Sequence, residues 1–343
     1  MASVDVPVAL LGYGTVGAAV HRLLEEQADE IERATGHRLR VVRALVRDES
    51  KHRGFSPEPG VLTTDHADIA GDPSIRVVAE VMGGVEPAGE YVLGALNAGR
   101  SVVTANKQLV ARRGAELFAT ASANGVQLRF EASVCAAIPV VKVLRESLIA
   151  TDVSAILGIV NGTTNFILTA MAAGGDYGAV LAEAQRLGYA EADPTEDVNG
   201  ADAAAKIAIL ASIAFHTRVS LDDVVFDGIE SITAADVSFA AELGYRVKLL
   251  AHARLVDGAV TATVHPTLVP LAHPLAKVDG SFNAVMLRGD AIREITLIGP
   301  GAGGMETASA VIGDVMGILG TSGTGFFQHD GFFRRLPVAP PGA

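Results

Sequence analysis

The sequence predicts an α/β fold: a parallel sheet wound with helices, joined to a second unit of α+β type. Over residues 1–133, short apolar runs alternate with stretches at helical spacing, as parallel strands and their crossover helices require. A Gly-x-Gly-x-x-Gly segment separates the first apolar run from the first helical stretch. After about residue 133 the strict alternation gives way to a mixture of helices and strands.

The elements follow in order. Residues 6–11 are a strand, and Val16, Val20, Leu23, Leu24 and Ile31 recur at helical spacing after it. Strands are expected at 39–46, 77–82, 101–104 and 126–130, with helices at 87–98 and 113–124. Pro87 near the start of one helix and Gly99 past its end follow the usual asymmetry of helix termini. In the second part, helices are expected at 139–148, 163–172, 178–187, 201–215 and 234–243, and strands at 153–160, 247–253, 260–265, 284–288 and 294–298. The mixture implies an open sheet, and 307–319 closes the series as a helix.

Composition narrows the function. The net charge of −12 opposes non-specific nucleic-acid binding and docking on anionic membrane, both of which need a positive field. No apolar run reaches the ~20 residues of a membrane span. One cysteine, Cys135, rules out an intramolecular disulfide framework and suits a reducing compartment. The N-terminus carries no basic segment ahead of its apolar run, so no signal peptide is expected and the cytoplasm is the default location.

Gly12-Tyr13-Gly14-Thr15-Val16-Gly17 has the context of a Rossmann-type dinucleotide site. Gly12 permits the tight turn, Gly14 lets the backbone approach a pyrophosphate at the helix N-terminus, and Gly17 lets helix and strand pack closely. A Gly-rich turn that binds nothing is the alternative. Arg47, after the second strand, suits a 2′-phosphate and points to NADP; Asp48 beside it keeps NAD open. Thr104-Ala105-Asn106-Lys107 follows a strand at the carboxyl edge of the sheet, where ligands sit in open α/β folds, so Lys107 is a candidate lysine at the chemistry. The segment 188–206 is dense in carboxylates and ends in Lys206, ahead of an apolar helical run. Asp202 and Lys206 stand at i, i+4 and share a helix face. They are either a structural ion pair closing the start of a core helix or a lysine tuned by burial for proton transfer.

Taken together, these motifs resemble homoserine dehydrogenase over about residues 5–320. The matching elements are the glycine motif at 12–17, Glu-Val-Met-Gly-Gly at 80–84, Thr-Ala-Asn-Lys at 104–107, Phe-Glu-Ala-Ser-Val at 130–134, Gly-Ile-Val-Asn-Gly-Thr-Thr-Asn-Phe-Ile-Leu at 158–168, and the 188–206 segment. The resemblance implies an NAD(P)-dependent oxidoreductase interconverting L-aspartate 4-semialdehyde and L-homoserine, toward threonine and methionine. It implies Lys206 as the proton-transfer lysine and Lys107 as a second lysine at nicotinamide and substrate. Glu191, Asp202, Asp197 and Tyr189 fall at substrate-pocket positions, with Glu191 facing the α-amino group. Thr104, Gly188 and Gly303 fall near the cofactor with Gly12, Gly14, Thr15, Val16, Gly17 and Arg47. A monovalent cation, usually sodium, is implied at Glu131, Val134, Ala136 and Ile138, held largely by backbone carbonyls, and so is a homodimer built on the open sheet. Two lysines near each other are expected to depress each other's pKa.

The implied organisation is a cofactor unit at 1–133, a substrate and dimerisation unit at 134–304, a helix and tail at 305–335 returning to the cofactor unit, and a disordered end at 336–343. Larger members append a regulatory domain for which this chain leaves no room, so feedback inhibition through one is not expected. Where members often carry glycines after Ser-Val, this chain has Cys135-Ala136-Ala137-Ile138, which bears on cation affinity. Glu196 stands where some members carry another acid beside Asp197.

Cys135, between Val134 and Ala136, reads as a buried thiol ahead of a nucleophile. His265-Pro266 and His273-Pro274 read as loops ahead of a metal site. Phe326, Phe327, Phe332 and Phe333 form an aromatic cluster expected to pack on the cofactor unit or a partner subunit. Two rival functions remain: an NADP-dependent oxidoreductase of another amino-acid alcohol or aldehyde, and a non-catalytic NADP-sensing module, which has no use for the set Lys107, Lys206, Asp202 and Glu191.

Overall fold

The computed structural model describes residues 3–321; the phenylalanine cluster lies outside them. The first sheet holds β1 (Val4–Leu11), β2 (His37–Leu45), β3 (Leu62–Thr63), β4 (Val77–Glu80), β5 (Ser101–Thr104) and β6 (Leu128–Arg129). Every pairing is parallel and the order is β3-β2-β1-β4-β5-β6, the doubly wound order whose switch point lies between β1 and β4. The helices of this part are α1 (Thr15–Glu26), α2 (Ala28–Thr35), α3 (Ala67–Ala70), α4 (Ala88–Asn97) and α5 (Lys107–Ala123). Val92, Leu96, Leu109 and Leu117 of α4 and α5 fill one face of the sheet. Val20 and Leu24 of α1 fill the other, together with Ala308, Val311 and Val315 of the last helix.

Two helix expectations shift. The helical stretch after the glycine motif divides at Gln27, whose backbone leaves the helical region (φ −107°, ψ 9°). The helix expected at 113–124 begins at Lys107, because the Asn106 side chain accepts the Leu109 N–H at 3.1 Å and starts the helix there. Lys107 therefore stands on the first turn of a helix.

The second part runs through α6 (Val140–Lys142), β7 (Val153–Ile159), α7 (Gly162–Ala172), α8 (Tyr177–Arg186), α9 (Thr195–Val198), α10 (Ala201–Ala214), β8 (Val224–Phe226), α11 (Ala234–Glu242), β9 (Tyr245–Val256), β10 (Ala259–Pro270), β11 (Phe282–Gly289) and β12 (Arg293–Pro300). The helix expected at 139–148 runs without a break from α6 through Ser147, its second part, Val143–Ser147, wound more widely as a π-helix. The sheet order is β12-β11-β7-β9-β10-β8, antiparallel except between β10 and β8. Helices α7, α10 and α11 cover one face through residues such as Ile167, Ile207, Leu210 and Val237. His265-Pro266 lies inside β10 and is not a loop. β8 ends opposite Val264, so β10 is an edge from His265 onward and tolerates a proline there. α12 (Gly304–Thr321) returns from the second sheet to pack against α1.

The glycine motif sits at the end of β1 beside the switch point. A Cβ on Gly17 would come within 2.3 Å of the Gly12 carbonyl oxygen, whereas one on Gly14 would meet nothing within 4 Å. Gly17→Ala is therefore expected to cost about 2 kcal/mol through forced backbone movement. Gly14→Ala, at an ordinary backbone conformation, should stay within about 0.5 kcal/mol of wild type. Urea denaturation of the two variants checks the contrast.

Candidate active site

Three elements bring their side chains to one buried carboxylate. Asp202, on the first turn of α10, accepts Lys206 Nζ at 2.7 Å and Asn161 Nδ2 at 2.8 Å on Oδ2, while Lys107 Nζ bonds Oδ1. Lys206 follows one turn later on the same helix and donates a second hydrogen bond to the Val160 carbonyl at 2.9 Å. Lys107 comes from the first sheet's side, and Glu196 Oε2 lies 3.9 Å from its ammonium. Asp197 of α9 accepts Asn161 Nδ2 at 2.7 Å and Thr163 Oγ1 at 3.3 Å. The same hydroxyl donates to the Tyr189 carbonyl at 2.6 Å.

Burial opposes the charge on Asp202, but the two lysines outweigh it and hold its carboxyl well below the usual range. Burial likewise pushes Lys206 down, and Asp202 with its neighbours more than reverses this, so its pKa is raised. The expectation that two adjacent lysines depress each other is thus corrected for Lys206: a carboxylate stands between them. Asp197 is raised by burial, partly offset by Asn161. Burial pushes the Cys135 thiol up to about 11, which removes the thiolate a nucleophile needs.

Glu191 is exposed on the segment after α8, and its backbone carbonyl, not its carboxylate, takes a bond from Gln185 Nε2 at 3.1 Å. Tyr189 is also exposed, its ring 5.0 Å from that of Phe166. The Asp202 cluster therefore gathers Lys107, Lys206 and, through Asn161, Asp197, but not Glu191.

At the cofactor end, Gly14 and Thr15 are exposed at the N-terminus of α1, with Val16 half-buried behind them. The open space before Gly14 suits the close approach of a phosphate. Gly304 brings α12 against the Thr15 side chain, which sets Gly303 (φ 133°) beside this loop. Gly188 (φ 78°) ends the turn after α8. Arg47 is exposed just past β2. Thr104 is fully buried and its hydroxyl donates to Glu80 Oε2 at 2.5 Å, so that side chain is a brace with no exposed atom to offer a ligand.

In the sequence Glu80 stands out only as part of a motif. It is fully buried and also accepts the Met82 N–H at 2.8 Å, which fixes the turn that Gly12 packs on. Asn161 and Thr163 likewise carry no role legible from composition or spacing. The legible signal was an asparagine directly after a strand and before a helix, an N-cap pattern.

Around the implied cation positions, Cys135 and Ala136 adopt left-handed backbone (φ 57° and 37°), the conformation glycine adopts freely. The Glu131 carboxylate accepts the N–H groups of Val141 and Lys142 at 2.8 and 2.7 Å. The Glu131 and Ile138 carbonyls accept N–H groups of Val134 and Val140. Among the described residues, no cluster of three or more His, Cys, Asp or Glu side chains is arranged to hold a metal.

The chain is similar to known proteins in both sequence and fold. Residues 12–131 match the family profile "Homoserine dehydrogenase, NAD binding domain" and residues 139–316 match "Homoserine dehydrogenase". The homoserine dehydrogenase of Corynebacterium glutamicum is 53% identical over 342 residues, 97% of this chain and 76% of that one. The chain belongs to the homoserine dehydrogenase family. The crystal structure of a homoserine dehydrogenase from Thiobacillus denitrificans superposes with a TM-score of 0.88 at 47% identity, covering 92% of this chain and 73% of that one. A hyperthermophilic archaeal homoserine dehydrogenase in complex with NADPH gives 0.78 at 28% identity, covering 94% and 99%. This homoserine dehydrogenase is an oxidoreductase of amino-acid biosynthesis that interconverts L-aspartate 4-semialdehyde and L-homoserine with a nicotinamide cofactor. No helix among the described residues is long and apolar enough to cross a membrane.

Asp202→Asn leaves two lysines without their shared counter-charge and should cost about 3 kcal/mol near neutrality. Because Asp202 is depressed, the difference from wild type should shrink as pH falls below about 4 toward its folded-state pKa. Because Lys206 is raised, its contribution fades only at alkaline pH. Urea unfolding at a series of pH values measures both limbs.

Proposed function

We propose that Lys206 exchanges the proton with the substrate oxygen and that Lys107 steadies the same oxygen. The observation that carries this is the convergence of both ammonium groups on Asp202. Lys206 spends two N–H groups on Asp202 and Val160, which leaves a third for substrate. As the aldehyde is reduced, negative charge grows on its oxygen, and a lysine ammonium there stabilises and then protonates it. In the reverse direction the neutral amine removes the hydroxyl proton. The nicotinamide, when bound, supplies or accepts the hydride. Asp197 and Asp202 face the substrate, and Glu191 reaches its ammonium by movement of the exposed segment after α8.

Gly12, Gly14, Thr15, Val16 and Gly17 hold the pyrophosphate at the α1 N-terminus, with Gly188, Gly303 and the Thr104–Lys107 turn bordering the nicotinamide half. Arg47 selects NADP by its exposed guanidinium past β2. A sodium ion would take carbonyls of Glu131, Val134, Ala136 and Ile138. In support, the Val134 and Ala136 carbonyls accept no hydrogen bond among the described residues. Nearby, the Asn283 amide is fully buried beside the Cys135 thiol. The ion would stiffen the left-handed turn at 135–136. A homodimer would use the second sheet, where exposed Leu268, Phe282 and Ile298 support an apolar contact. The single buried thiol and the net charge of −12 support a cytoplasmic location.

Initial rates of L-homoserine oxidation against pH test the lysine. Wild-type rates should rise toward alkaline pH as Lys206 loses its proton, and Lys206→Ala should abolish turnover while still binding NADPH. Substantial turnover in Lys206→Ala would sink the assignment. In the same assay Arg47→Ala should weaken use of NADP⁺ about tenfold or more and leave NAD⁺ nearly unchanged. Equal losses with both would remove the 2′-phosphate contact.

A further inference from the structure

We propose that Asn161 is a positioning residue for the reaction, a single side-chain amide that fixes Asp202 and Asp197 against each other and thereby aims the free N–H of Lys206. The inference rests on the role given to Lys206 above. Every hydrogen-bonding atom of the Asn161 carboxamide is engaged. Its nitrogen donates to Asp197 Oδ1 at 2.7 Å and to Asp202 Oδ2 at 2.8 Å. Its oxygen accepts the Thr164 N–H at 2.8 Å and the Thr164 hydroxyl at 2.9 Å. Chemistry fixes this orientation, because a flipped amide would set its oxygen against two carboxylates and its NH₂ against a backbone N–H.

Two carboxylates this close repel, and a donor shared between them offsets the repulsion without a mobile water. The Asp202 oxygen that Asn161 holds is the one bonded to Lys206 at 2.7 Å. The preceding residue holds the same ammonium directly, through the Val160 carbonyl at 2.9 Å. Residues 160 and 161 thus locate Lys206 twice, once by the main chain and once through Asp202. With two N–H directions fixed, tetrahedral geometry sets the third. Anchoring is firm because Asn161 is buried and caps α7, so moving the amide means disturbing a helix terminus.

The ionisable groups around this point come from every neighbouring element: Lys107 from α5, Asp197 and Glu196 from α9, Asp202 and Lys206 from α10, and the Cys135 thiol from the turn before α6. A further negative charge at position 161 would add to the acids already holding Lys206 protonated.

Asn161→Asp tests this, since aspartate caps a helix as well as asparagine but donates nothing. The expected result is a fall in kcat for homoserine oxidation of about 100-fold. The alkaline limb of its pH profile should move up by about one unit or more. NADPH affinity, read by nucleotide fluorescence, should remain close to wild type. Asn161→Ser, which also caps but is neutral and short, should lose at least about tenfold in kcat without the upward move. If Asn161→Asp fails to fold, Asn161→Ser decides. A folded variant with kcat within about threefold of wild type and an unmoved limb overturns the proposal. Lys206→Ala, assayed alongside, separates the failures. An inactive Lys206→Ala beside silent Asn161 variants sinks the positioning role alone, whereas an active one sinks the lysine assignment beneath it.

Discussion

The arrangement depends on one buried carboxylate. Asp202 accepts bonds from Lys107, Lys206 and Asn161, which come from α5, α10 and the start of α7. A charge buried this deeply is tolerable only when fully partnered, since removal of one partner leaves desolvation uncompensated. The requirement works in both directions. Asp202 keeps Lys206 charged, and the two lysines keep Asp202 ionised. Because Lys107 belongs to the parallel sheet's side and Lys206 to the mixed sheet's side, the same carboxylate also joins the two halves of the molecule.

That electrostatic balance gives the site a direction. The network favours the protonated Lys206, the form that its proposed role requires for reducing an aldehyde. In that proposed role oxidation requires the neutral amine, and the positive charges that accompany that direction, the ammonium of homoserine and the oxidised nicotinamide ring, both oppose the Lys206 proton. Cys135 is the opposite case nearby: burial dominates, its thiol stays protonated, and its contribution is packing.

Legibility in the sequence followed the range of the interactions. The glycine motif and the Asp202–Lys206 pair were readable because turn geometry and i, i+4 spacing are local. The strand–helix alternation likewise exposed the first sheet. What escaped was set by distant partners. Glu80 meets Thr104 from 24 positions away, and Asn161 meets Asp202 from 41; no periodicity in one chain reports such pairs. The start of α5 at the Asn106 cap, ahead of the expected 113, and the passage of β10 through Pro266, which depends on where β8 ends, lay beyond the same limit. The resemblance placed Glu191 among the substrate acids, and its exposed position outside the Asp202 cluster is set by the course of the segment after α8, which no spacing in the sequence reports.

The return of α12 to the first sheet bears on the order of synthesis. The face of that sheet under α1 is completed by Ala308, Val311 and Val315, so part of its apolar surface has no cover until the last described helix has left the ribosome. By then the whole mixed sheet, β7 to β12, has already been made. The nucleotide-binding half, first in the chain, is therefore the last to have all its residues synthesised, and everything between its two parts is an insertion in sequence.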